Sequence, residues 1–128
     1  MITVTNGIDQ FTQLMLSLND NAVDLSQNNL VVTNNNVVFD NTNPIFPGTY
    51  YGVFDGSTSY LSIPCSPIFE PQGDFTFDTY INLQSNNLGQ WGAGHIFGYG
   101  VSGVAGSEYG LFYNGSVLET WKSNTLPL

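Results

Sequence analysis

The chain has 128 residues, 41% of them hydrophobic and 14% aromatic, which places it among single globular domains able to bury a core without disulfide staples. Only 9% of residues are charged and the formal net charge is −9, with Lys122 the one basic side chain beside a neutral His95. Nucleic-acid binding through phosphates needs several cations to release counterions, and an anionic membrane surface asks for the same, so both are excluded as partners.

The surface must then be covered by Asn, Ser, Thr, Gly and Gln, which fill the gaps between apolar runs. Cys65 is alone and forms no intrachain disulfide; its Pro64–Cys65–Ser66–Pro67 setting suits a small packed residue at a strand end. No basic segment or long apolar stretch follows Met1, so neither a signal peptide nor a transmembrane helix is expected. A neutral polar surface without an export signal fits a virus particle, assembled in the cytoplasm and released by lysis.

In chain order, Ile8–Leu18 is the one helix candidate, but Leu14, Leu16 and Leu18 alternate with Gln13, Met15 and Ser17, which favours a strand over Gln13–Leu18. Leu30–Phe39 reads as two short strands folded back on each other around Asn34 and Asn35, because Asn tolerates left-handed turn conformations. Two prolines make Asp40–Gly48 a loop. Thr49–Phe54 returns as a strand, Asp55-Gly56 turns the chain into Ser59–Ile63, and Pro64 ends the pairing.

Phe75–Leu83 has the clearest alternation. Phe75, Phe77, Thr79, Ile81 and Leu83 point to a core, while Asp74, Thr76, Asp78, Tyr80 and Asn82 face solvent or a ligand. Asn86–Gly110 is glycine-dense with an apolar island at His95–Tyr99. The run YGLFYNGSVLETW carries two alternating arms around Asn114-Gly115, a strong hairpin signal. About nine short strands and no helix of note predict an all-β sandwich or barrel.

The order of these segments carries a resemblance. An early strand (QLMLSLND), a Ser/Asn turn (VDLSQNN), YYGVFDGSTSYLSIP, a short crossing (CSPIFEPQ), GDFTFDTYINL, HIFGYG and YGLFYNGSVLETW together resemble the laminin G-like branch of the concanavalin A-like lectin/glucanase fold, in the form common in bacteriophage tail and adhesin proteins. The likeness covers about Gln13–Trp121. It implies an all-β jelly-roll β-sandwich of two antiparallel sheets, one domain over residues 1–128. In that family further strands follow the hairpin, so the expectation is a fold incomplete at its C-terminus, either truncated or completed by a partner chain. Unpaired sheet edges associate readily, so a homo-oligomer is also expected.

Chemistry-bearing constellations are few. Hydrolases of this fold carry Glu-x-Asp-x-x-Glu on one strand, and nothing here matches it. Asp74 and Asp78 would be attached roughly 13 Å apart on a strand, against about 5 to 9.5 Å between the carboxyls of glycoside hydrolases. The chain is read as no enzyme. Gly98–Gly103 (GYGVSG) fits the spacing of a dinucleotide-binding turn but lacks the helix that must follow, and is read as a glycine-rich loop or bulge. His95 has no second imidazole or thiol for a transition metal and no nucleophile elbow to serve; it is read as a surface or partly packed residue.

Ca²⁺ is a possible cofactor, since laminin G-like domains often hold it on the sandwich rim through Asp, Asn and carbonyl oxygens. Asp20, Asp24, Asp40 and Asp55 are candidate donors; Asp55 is the one singled out, though it is first read as the cap of its own turn. Glycan binding needs a flat aromatic beside amide and carboxylate groups, because sugars present C–H faces ringed by hydroxyls. Trp91, Tyr80, Asp78, Tyr99 and His95 are the candidate carbohydrate-binding set. Asn114-Gly115-Ser116 is formally a glycosylation acceptor, placed in a hairpin turn and lacking a secretory route. The functional expectation is a virion module contacting host-surface polysaccharide in a phage tail fibre or head-exposed protein. The alternative is a capsid-decoration or attachment domain docking onto other virion proteins without a glycan ligand.

Overall fold

A computed structural model describes residues 8–70, 73–83, 94–100, 109–113 and 117–122. Two compact units divide the chain, Met1–Pro64 and Cys65–Leu128. Among the described residues every regular element is a β-strand except one turn of 3₁₀ helix at Pro67–Phe69, so the chain is all-β. The strands make three small antiparallel sheets of two, two and three strands. Among the described residues these sheets are small and not closed.

In the first unit, β1 (Thr33–Asn35) pairs with β4 (Tyr60–Ser62), and β2 (Val38–Asp40) pairs with β3 (Tyr51–Val53). The expected hairpin over Leu30–Phe39 is therefore corrected, since β1 and β2 diverge to different partners. The turn between them is side-chain-built. Asn34 Oδ1 accepts the Val37 N–H at 2.8 Å and its amide donates back to the Val37 carbonyl at 3.0 Å. Asn36 takes the left-handed backbone at φ 60°. Asn34 thus engages both backbone groups of Val37 within the turn, and the strands on either side go to different partners.

Val37, 5% exposed, is the one buried hydrophobic residue among the described ones. It lies against Gly52, where an added Cβ would meet Leu18 Cδ1 at 3.2 Å, Phe54 Cε2 at 3.3 Å and Val37 Cγ1 at 3.4 Å. The small core of this unit closes because β3 offers no side chain at that point.

Gln13–Leu18 shows the expected alternation: Leu14, Leu16 and Leu18 are half-buried, whereas Gln13, Met15 and Ser17 are exposed. Only a single bridge forms, between Leu16 and Asp24. The reason is local, because the Met15 N–H is taken by the Asp24 carboxylate at 3.1 Å rather than by a strand carbonyl.

In the second unit, β5 (Gly94–Tyr99), β6 (Tyr109–Tyr113) and β7 (Leu118–Lys122) form a meander. The arms flanking Asn114-Gly115 pair as expected, with Tyr113 opposite Leu118 and Tyr109 opposite Lys122; the turn residues themselves lie outside the described residues. Phe75–Leu83 is corrected. It carries no ladder, and its residues are exposed, Phe75 at 61% and Ile81 at 40%. Its alternation still has a consequence, since Phe75 and Phe77 both reach the β5–β6 sheet, through Tyr109 and Phe97. Period-two patterning sorts side chains onto faces, but a strand also needs a neighbour whose backbone groups are free.

Candidate functional site

Three carboxylates of the first unit, Asp24, Asp40 and Asp55, are spent on structure. Asp24, 3% exposed, accepts the backbone N–H groups of Met15 at 3.1 Å, Ser26 at 2.8 Å and Leu30 at 2.8 Å, and the Ser26 hydroxyl at 2.8 Å. Burial pushes its pKa up, but the N–H bonds from Leu30, Ser26 and Met15, with the Ser26 hydroxyl, outweigh that and hold it below the ordinary carboxylate value. One side chain thereby pins three backbone positions spanning Met15 to Leu30.

Asp55 caps its own turn, as first read. Its carboxylate receives the N–H groups of Ser57, Thr58 and Ser59 and the hydroxyls of Thr58 and Ser59, all between 2.6 and 2.9 Å. The Thr58 hydroxyl, followed by the three N–H groups, drives its pKa far below the usual range. Gly56, at φ 71°, supplies the left-handed residue the turn requires. A calcium ion would have to displace these donors from both oxygens. Among the described residues no group of three or more His, Cys, Asp or Glu side chains gathers as a metal site. Asp40 is likewise engaged by the Thr42 hydroxyl at 2.6 Å, the Thr42 N–H at 2.9 Å and, across β2–β3, the Tyr51 hydroxyl at 2.9 Å. Those bonds lower the Asp40 pKa, and the bond to Asp40 raises that of Tyr51.

In the second unit the aromatic residues form a linked cluster. Phe77 stacks on Phe97 at 4.6 Å, Phe97 and Tyr99 meet Tyr109 at 5.8 and 5.2 Å, Phe75 meets Tyr109 at 5.5 Å, and Phe69 meets Tyr99 at 5.9 Å. Offset and tilted pairs at these separations each add about 0.5–1.5 kcal/mol beyond the area they bury. The Tyr109 hydroxyl donates to the Phe69 carbonyl at 2.6 Å, and removal from water raises its pKa. The Tyr99 hydroxyl lies 3.5 Å from Cys65 Sγ and donates toward the Ser66 carbonyl at 3.3 Å and Glu70 Oε1 at 3.5 Å. The bond with Cys65, then loss of water and the charge of Glu70, push its pKa to about 12. Cys65 itself is exposed, not packed.

These contacts redistribute the expected carbohydrate-binding residues. Tyr99 is half-buried in the cluster, with its hydroxyl committed to the Cys65–Glu70 stretch. His95 is exposed, and a register shift between His95 and Phe97 puts it opposite Phe112 while Phe97 sits opposite Leu111. Without that bulge His95, Phe97 and Tyr99 would share a face by simple alternation; with it His95 moves to the opposite side of the sheet. Asp78 is exposed, as is Tyr80 at 73%. Trp91 lies outside the described residues. Gly98 of the glycine-rich motif is inside β5, a strand residue rather than the start of a phosphate-binding turn; residues 101–103 lie outside the described residues.

Sequence reading took Asp24 only as a candidate calcium donor and missed both its backbone-pinning role and Tyr109. Asp24-x-Ser26-x-Asn28 does carry a signal, because short polar side chains two apart cap each other's backbone. Tyr109 carried none, since its role depends on which strand becomes its neighbour. No protein-family model, curated protein or solved structure matches the chain. The fold and site define an all-β protein with small antiparallel sheets, an aromatic-lined sheet and carboxylate-capped turns.

Proposed function

We propose that this chain is a non-enzymatic module of a virus particle, a bacteriophage tail-fibre or head-exposed protein, that recognises host-surface carbohydrate through a laminin G-like arrangement of its strands. The observation that carries the reading is the pairing of an aromatic-rich antiparallel sheet with a chain of few charged residues, 9% in all and only one of them a cation. Sugars reward aromatic faces and neutral hydrogen-bonding groups, and such a chain suits weak sites whose strength comes from repetition across copies. The carboxylates Asp24, Asp40 and Asp55 are engaged in turn and strand bonding, which agrees with a binding rather than a hydrolytic role.

A second reading has its own support. Val31 at 73%, Val38 at 64%, Ile45 at 61% and Leu118 at 56% exposure are apolar side chains that a partner surface would cover. In this reading the chain is a decoration or attachment domain seated on other virion proteins or on copies of itself. An array of bacterial envelope polysaccharides probed with the full chain, with and without Ca²⁺, separates the two. Binding to defined glycans supports recognition. No binding, together with loss of particle assembly on Trp91→Ala, transfers the function to docking.

A further inference from the structure

Phe75 and Phe77 rest on the face of the β5–β6–β7 sheet that carries Phe97 and Tyr109, at 5.5 Å from Tyr109 and 4.6 Å from Phe97. Their segment therefore lies over that sheet rather than along its edge. From Asp74 to Leu83 no turn, bend or left-handed residue interrupts the chain. Among the described residues, Phe75, Phe77, Thr79, Ile81 and Leu83 make no hydrogen bond. All five remain exposed, so the contact with the sheet leaves their flank open. A strand-patterned segment whose rings have found a layer, and whose backbone has found no neighbour, is a template for one more strand.

We infer that Phe75–Leu83 is the self-association strand of this protein, pairing antiparallel with the same segment of a second copy about a two-fold axis at Thr79. The residues themselves select that occupant, because the segment complements its own reverse. Thr79 stands opposite the partner's Thr79, Phe77 opposite the partner's Ile81 and Phe75 opposite the partner's Leu83, so aromatic meets aliphatic along one face. On the other face Asp78 meets the partner's Tyr80, and Thr76 meets the partner's Asn82. No carboxylate stands directly across from another, although each copy carries a net charge of −9. A two-fold contact requires this property, since the patch one copy offers is the patch the other must accept. Phe75, Phe77, Thr79, Ile81 and Leu83 form the hydrogen-bonded pairs, each exchanging N–H and carbonyl with the residue opposite. The joined segments make a two-stranded layer over the aromatic sheets of both copies. This pairing stands on the segment's own geometry and is independent of both functional readings above.

The test uses the full chain, with sedimentation to follow association and amide hydrogen exchange to locate it. Raising the concentration through the dissociation constant should protect the amides of Phe75, Phe77, Thr79, Ile81 and Leu83, and leave those of Thr76 and Asp78 exchanging as before. Residue 79 faces itself only in this register, so a charge placed there reports it. Thr79→Lys and Thr79→Asp should each weaken self-association about tenfold by setting like charges across the axis, and an equimolar mixture of the two should restore it. Thr79 is exposed and bonds to nothing within the described chain, so both variants should keep the parent's circular dichroism. A dimer that neither variant weakens, or that Val38→Ser alone dissociates, overturns the pairing and moves the contact elsewhere. Weakening by both variants without rescue in the mixture overturns the two-fold register. A chain still monomeric at millimolar concentration overturns the inference and leaves the segment to a strand from a different protein.

Discussion

Asp24 is the side chain on which the first unit most depends, because three backbone donors would be left without an acceptor if it were removed. Asp24→Ala should cost about 3 kcal/mol in chemical denaturation, the range for orphaning several partly buried N–H groups. Its pH dependence has a fixed sign. A carboxyl whose folded pKa lies below its unfolded value stabilises fully above the unfolded value, near pH 4, and loses that contribution as pH falls through the folded pKa. Thermal midpoints should therefore drop steeply in acid for the parent and less steeply for Asp24→Asn. An equally shallow drop in both would remove Asp24 from the explanation. Asp55 acts over a shorter range: Asp55→Ala should speed amide hydrogen exchange at Ser57, Thr58 and Ser59 and leave β2–β3 protection unchanged.

At the scale of elements, the glycines of the β5–β6 pair provide a contrast within one ladder. Gly110→Ala forces a Cβ to 2.8 Å from the Phe97 carbonyl, a backbone atom that cannot swing aside, so strand separation must increase. A loss of about 1–3 kcal/mol is expected, whereas Gly98→Ala should be nearly silent in the same melt because its Cβ meets nothing. Equal effects at both positions would show that strand propensity, not close approach, decides. Tyr109→Phe removes the bond to the Phe69 carbonyl and keeps the ring in its cluster, so it should cost about 1 kcal/mol; Tyr109→Ala should cost more, since three ring contacts vanish with it.

For the whole molecule, the exposed apolar residues decide the expected behaviour in solution. Two-stranded sheets such as β1–β4 and β2–β3 are marginal alone, and they stabilise when a further layer covers them. Analytical ultracentrifugation should therefore return a multiple of the 14.0 kDa chain mass. A strict monomer at micromolar concentration would assign the cover to a different protein. Val38→Ser, at 64% exposure, should shift the equilibrium toward monomer without lowering the stability of a chain that is already monomeric.

The sequence by itself determined the all-β class, the turn at Asp55-Gly56, the loop expected over Asp40–Gly48 apart from Asp40, which ends β2, the alternation of Leu14, Leu16 and Leu18, and the pairing of the arms around Asn114-Gly115. Each of these follows from contacts between near neighbours in the chain, where residue type and spacing suffice. Only the tertiary structure decided that Leu30–Phe39 splits between two sheets, that Phe75–Leu83 carries rings without a ladder, and that a bulge parts His95 from Tyr99. Those outcomes depend on which distant backbone groups are still unsatisfied when strands meet. Alternation assigns a side chain to a face, but pairing partners and a one-residue register shift decide what that face meets.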